Sequence, residues 1–221
     1  MSGNEAALRE LLVRTARRML ADGLVTGTSG NLSARVPGSE RILVTPSGIE
    51  YDAMVPEQVV AVDSDGRPLE PSSGAAMVPT SDTPVHVAIY RARPDVEAIV
   101  HTHSPYAVAF STIPEEIPAL TLECGGYLGG PVRVAAYEPP GSGDAPRRLA
   151  ASLGRDLAIL LPHHGVVAVG ESLGKAYHAA VAVEEGARVA WLARAIGSPR
   201  NVPADDVAWM HEFIHRRYGQ R

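Results

Sequence analysis

A chain of 221 residues, 45% of them apolar, is long enough for one sizeable core or two small ones. Its net charge of −5 and scattered basic residues exclude a nucleic-acid or membrane-surface footprint, no apolar run could span a bilayer, and "MSGNEAALRELLVRTARRML" has no signal-peptide h-region, so a cytoplasmic protein is expected. Cys124 is the one cysteine, which excludes an internal disulfide framework, and Lys175 is the one lysine, so Schiff-base chemistry has a single candidate.

In chain order, Glu5 to Ala21 carries Leu8, Leu11, Leu12, Met19 and Leu20 at helical spacing. "ADGLVTGTSGNLSARV" reads as a glycine stop, a Gly/Ser/Thr/Asn cluster and a short strand. "RILVTPSG" reads as strand then turn, "VVAVD" as a strand ended by "SDGRP", and "PSSGAAMVPTSD" as loop. Ser81, Asp82 or Thr83 caps a helix with Pro84 at its first position, running to about Ala92. "DVEAIVH" is a strand, "SPYAVAFS" a short helix, "VRVAAY" a strand and "APRRLAASLG" a helix ended by Gly154. "LAILLPHHGVVAVG" forms two short strands around a turn, and helices follow over Leu173 to Ile196 and Pro203 to Arg217. Strands often follow one another with no crossover helix. That predicts an α+β fold, three-layer αβα around a largely antiparallel sheet. No repeat or low-complexity linker divides the chain, so one domain over 1–221 is expected.

The chemistry gathers at "IVHTHSPYA". Strand side chains alternate, so His101 and His103 share a face and can reach one ion. A third ligand comes from His163 or His164 in "LLPHHGVVAV", where the glycine lets the backbone turn beside a site. Three imidazoles with an open fourth position is a catalytic zinc pattern; structural sites are usually closed and cysteine-rich. Asp82 in "PTSDTPVH" is the nearby carboxylate, either a helix cap or a ligand and base. His86, His178, His211 and His215 lie on helices and read as surface or packing residues. Three loops, "TGTSGN", "TPSG" and "PTSD", are rich in hydroxyls and unobstructed N–H groups and together suit a phosphate.

With "GTSGNLSAR", "TPSGIEY", "PTSDTPVHVAIY", "IVHTHSPYA", "HHGVVAVG" and the tail "RRYGQ" in this order, the chain resembles the class II, zinc-dependent sugar-phosphate aldolase and epimerase family over nearly its whole length. The resemblance implies one zinc, or another divalent metal, per subunit on His101, His103 and His164, with Asp82 as ligand and acid/base. It implies phosphate binding at Gly30, Asn31, Ser47, Gly48, Thr80 and Ser81. It also implies a homotetramer with active sites between subunits and Tyr218 reaching the neighbouring subunit's site from the C-terminal tail. The expected reaction is cleavage of a ketose 1-phosphate, of L-fuculose-1-phosphate type, to dihydroxyacetone phosphate and an aldehyde through an enediolate. The alternatives are an L-ribulose-5-phosphate 4-epimerase-like enzyme and a sugar-acid phosphate decarboxylase. A scaffold module that keeps the fold and loses the ligands is countered by the full ligand set. Two departures stand out: the aldolase's catalytic tyrosine falls on Leu122 and the epimerase's second carboxylate on Gly126, with Glu123, Tyr127 and Tyr218 as nearby substitutes.

Overall fold

The structure, a computed structural model, describes residues 3–69, 77–139 and 142–219. The part of the expected loop that spans 71–76 lies outside the described residues. Six strands form one sheet in the order β3-β2-β1-β4-β6-β5: β1 (Asn31–Arg35), β2 (Ile42–Val44), β3 (Val60–Val62), β4 (Ala98–Thr102), β5 (Ala158–Leu161) and β6 (Gly165–Gly170). Every neighbouring pair is antiparallel. Among the described residues seven α-helices accompany it: α1 (Gly3–Ala21), α2 (Thr83–Ala92), α3 (Pro105–Ser111), α4 (Leu122–Leu128), α5 (Ala145–Leu153), α6 (Leu173–Ile196) and α7 (Ala204–Arg216).

Both sheet faces are buried, which gives the three layers. Leu32, Ala34, Val100 and Ala168 point to α1, α3 and α6, while Ile42, Val44, Ile99, Val167 and Val169 point to α2 and α5. The period of two along each strand sorts side chains between the layers. It also places His101 on the α2 side of β4. The inward stripe of α6 is small (Ala176, Ala179, Ala180, Gly186, Ala187 and Ala190 are buried), so this long helix lies close on the sheet.

Two expectations needed correction. "VRVAAY" forms no strand: it makes isolated bridges, Ile117↔Val132 and Val134↔Leu160, the second parallel to β5. Pro131 removes a donor just before it, and among the described residues its backbone bonds to β5 are Ala135 N to Leu160 O and Leu160 N to Arg133 O, 2.9 Å each. Helix α4 was not expected, because its two glycines mask the pattern. Its signals are at the ends: Thr121 Oγ1 accepts from Cys124 N at 3.2 Å, and Gly129 closes the helix at φ +82°.

Candidate active site

His101 stands at the end of β4, is 1% exposed, and has Asn31 of β1 and Val167 of β6 as its cross-strand partners. Its Nδ1 lies 2.8 Å from the carbonyl of Val166. A carbonyl only accepts, so Nδ1 carries the proton and Nε2 keeps its lone pair. That Nε2 is 3.0 Å from Nε2 of His103. His164 completes the group, with ring centroids 4.7–4.8 Å apart around the triangle and interplanar angles near 70°. Among the described residues, these three are the group of metal-ligating side chains whose donor atoms all lie within 4.8 Å of one another.

The hairpin between β5 and β6 decides between the adjacent histidines. His163 takes the left-handed conformation, φ +57°, and its ring turns away to Tyr137, with centroids 5.9 Å apart. His164 is thereby carried to the other two imidazoles. Gly165 follows because a Cβ there would lie 2.2 Å from the carbonyl oxygen of Thr102. Two nitrogens bound to one tetrahedral ion at 2.0–2.1 Å would be about 3.3 Å apart, close to the His101–His103 separation. Three imidazoles, one with its tautomer locked, therefore fit a zinc-type ion with an open side toward the exposed His164. Burial pushes His101 down to about 3 and His103 below the usual histidine range, which favours the unprotonated, ligating form.

Asp82 is the residue before α2, yet its side chain makes no capping hydrogen bond. It turns to the histidines instead. One carboxylate oxygen accepts from Asn31 Nδ2 at 2.7 Å and lies 3.6 Å from His101 Nε2. Burial acts to raise its pKa, but His101, Asn31, His86 and His164 outweigh that, so the carboxyl sits below its ordinary value and is ionised at neutral pH.

Behind Asp82 runs a buried polar ladder that the helix spacing alone did not reveal. Ser33 on β1 lies 2.6 Å from His86 Nδ1 and 2.8 Å from the Tyr90 hydroxyl. Arg35 donates to the Tyr90 carbonyl at 2.6 Å and stacks on its ring. Thus Asn31, Ser33 and Arg35, alternate on a strand, meet Asp82, His86 and Tyr90, four apart on a helix. His86 is therefore no surface residue: it is fully buried, and burial pushes it down to about 4. The signal was the matched i, i+4, i+8 and i, i+2, i+4 polar positions.

The three hydroxyl-rich loops meet at the same end of the sheet. Pro46 and Pro79 bridge, Ser47 N donates to Val78 O at 2.8 Å and Thr80 N to Thr45 O at 3.1 Å, which joins Ser47 and Gly48 to Thr80 and Ser81. Gly30, at φ +71° with its would-be Cβ 2.6 Å from the His101 carbonyl, brings the first loop against the metal-side strand, and the Tyr51 hydroxyl donates to its carbonyl. Ser47, Gly48 and Ser81 are exposed there, at the N-terminus of α2.

Residues 10–191 match the family described as Class II Aldolase and Adducin N-terminal domain. This chain belongs to the class II aldolase family. It is 36% identical over 207 residues to the 5-methylthioribulose-1-phosphate/5-deoxyribulose-1-phosphate aldolase of Rhodospirillum rubrum, covering 94% of this chain and 90% of that protein. It is 34% identical over 215 residues to L-ribulose-5-phosphate 4-epimerase UlaF of Salmonella paratyphi B, covering 90% and 92%. A solved structure of an L-fuculose 1-phosphate aldolase superposes with a TM-score of 0.86 at 28% identity, covering 94% of this chain and 95% of that one.

The chain is thus an enzyme of the class II aldolases, a carbon–carbon lyase by family. Class I chemistry has no lysine to use: Lys175 is paired with Glu171 on the first turn of α6. Gly126 is packed under α7, where a Cβ would lie 2.3 Å from Met210 Cγ. Leu122 is exposed on α4, and Glu123 is exposed beside it. Tyr127 donates to the Lys175 carbonyl at 3.1 Å, a contact at the start of α6, and burial raises it to about 12. Tyr218 is 73% exposed and rests on Phe213, 5.9 Å between centroids. Of the predicted residues, the structure gathers His101, His103, His164, Asp82, Asn31 and the three loops; Tyr218 and its substitutes are not brought to them within one chain.

Proposed function

We propose that this class II aldolase, one domain over 1–221 in a cytoplasmic homotetramer, interconverts a ketose 1-phosphate with dihydroxyacetone phosphate and an aldehyde. The observation that carries the reading is the imidazole triangle beside an ionised Asp82 that does not cap its helix. His101, His103 and His164 would hold one zinc ion, with Asp82 beside them. The bound ion would supply Lewis acidity to the ketose carbonyl and hydroxyl oxygens.

The residues divide the remaining work. Gly30, Asn31, Ser47, Gly48, Thr80 and Ser81 bind the phosphate, using hydroxyls and N–H groups at a helix N-terminus in a chain of net negative charge. In the addition direction, the Asp82 carboxylate removes a proton from C3 of dihydroxyacetone phosphate, and the C–H electron pair forms the enediolate. The enediolate carbon attacks the aldehyde, and the aldehyde oxygen takes a proton as the C3–C4 bond forms. Cleavage runs the same steps backwards. Tyr218 from a neighbouring subunit is the proposed donor to that oxygen.

The relative matched over 94% of this chain is named for 5-methylthio- and 5-deoxyribulose 1-phosphate, which favours a pentulose 1-phosphate over L-fuculose 1-phosphate. The epimerase reading loses ground at Gly126, where a carboxylate would collide with α7. The test is a panel of ketose 1- and 5-phosphates with zinc-loaded protein. Release of dihydroxyacetone phosphate from 1-phosphates is expected; isomer formation from a 5-phosphate without release would establish the epimerase instead.

A further inference from the structure

A cavity of about 420 Å³ opens beside His164, walled by Val85, Ala135, Tyr137, Leu149 and Leu161. The cavity shares His164 with the imidazole group, and Val85 lies one turn into α2, its N–H donating to the Asp82 carbonyl at 2.9 Å. Its charged lining residues are Arg148 and Glu138, which are bonded to each other, Arg148 Nη2 to Glu138 Oε2 at 2.6 Å. Nothing in the mechanism above uses it.

We propose that this cavity receives the C5 substituent of the substrate and selects an apolar one, deoxy or thioether, over hydroxyl; the proposal rests on the aldolase reading. In a pentulose 1-phosphate the departing aldehyde is C4 and C5. With C4 at the imidazole group, the substituent on C5 extends past His164, which lines the cavity, toward its apolar walls. A hydroxyl there gives up water for walls that are mostly apolar, with Ser152 and the Tyr137 hydroxyl as their uncharged polar groups, whereas each buried methylene favours binding by about fourfold. The volume matters too. One water occupies about 30 Å³ of liquid, so the cavity is far larger than a methylthio group and accommodates longer alkylthio chains.

The experiment uses four ribulose 1-phosphates that differ only at C5: hydroxyl, hydrogen, methylthio and propylthio. Release of dihydroxyacetone phosphate by the zinc-loaded enzyme gives kcat/KM, and calorimetry on the zinc-loaded Asp82→Asn variant gives Kd. The methylthio compound should exceed the hydroxyl compound at least tenfold in both, with propylthio no worse than methylthio. Leu161→Asn should lower the methylthio-to-hydroxyl ratio at least tenfold. Ala135→Phe, which fills the cavity without a polar group, should lower the propylthio-to-deoxy ratio by as much, and it serves if Leu161→Asn does not fold. Equal values across the series, or ratios unchanged in the folded variants, overturn the proposal while the aldolase reading stands if dihydroxyacetone phosphate is released. If none is released, yet Kd follows the predicted order and the variants flatten it, the aldolase reading fails and the cavity's selectivity holds.

Discussion

Replacing Asp82 by Asn separates a structural from a chemical role, and the structure sets both magnitudes. The side chain makes no capping hydrogen bond, so no cap is lost. Asn keeps an oxygen to accept from Asn31 Nδ2, now 2.7 Å from the carboxylate. Exchanging a charge-assisted for a neutral hydrogen bond should cost about 1 kcal/mol of stability. Losing the proton acceptor at C3 should cost about 10²–10⁴ in turnover. The variant should fold, retain zinc on three histidines, and lose both dihydroxyacetone phosphate release and deuterium incorporation at C3 from D₂O. Turnover and exchange within threefold of the unaltered enzyme, in a folded zinc-loaded variant, would refute Asp82 as the acid/base.

Four further outcomes follow from the geometry. His164→Ala should lose stoichiometric zinc by elemental analysis while His163→Ala, whose ring faces Tyr137, should keep it; the reverse result would mean that the hairpin presents the other imidazole. Ser81→Ala should raise KM for a phosphorylated substrate well above its effect on the dephosphorylated analogue, and equal effects would remove the phosphate from the α2 N-terminus. Gly165→Ala forces a Cβ to 2.2 Å from the Thr102 carbonyl, so β4 and β6 must separate and the melting temperature should fall by more than about 4 °C, with zinc binding impaired. His86, lowered by burial from 6.5 to about 4, stays neutral in the folded chain while the unfolded chain binds a proton. Its contribution, about 3 kcal/mol, is present above pH 6.5 and is lost as pH falls toward 4. Urea unfolding of metal-free protein should therefore show a flatter slope over that window in His86→Asn, and parallel slopes would contradict the burial argument.

Local periodicity determined a good part of this protein before any tertiary structure. Alternation placed His101 and His103 on one face, the 3.6-residue spacing marked α1, α2, α6 and α7, and glycine or proline punctuation set most of the ends. Composition alone left class I chemistry a single candidate, Lys175. These properties depend on covalent geometry within about ten residues, which a sequence displays directly. The tertiary structure decided what depends on distant partners. His164 rather than His163 joins the other two imidazoles because His163 takes the left-handed conformation and turns its ring to Tyr137, while Gly165 lets β6 close on β4. Asp82 turns from its helix because Asn31, more than 50 positions away, offers it a hydrogen bond beside His101. Burial of His86 by Ser33 and Tyr90, closure of Gly126 by Met210, and the apolar cavity beside His164 have the same origin. Each arises where one layer docks on another, and donor, acceptor and volume matching across that seam leaves no periodic mark in either segment alone.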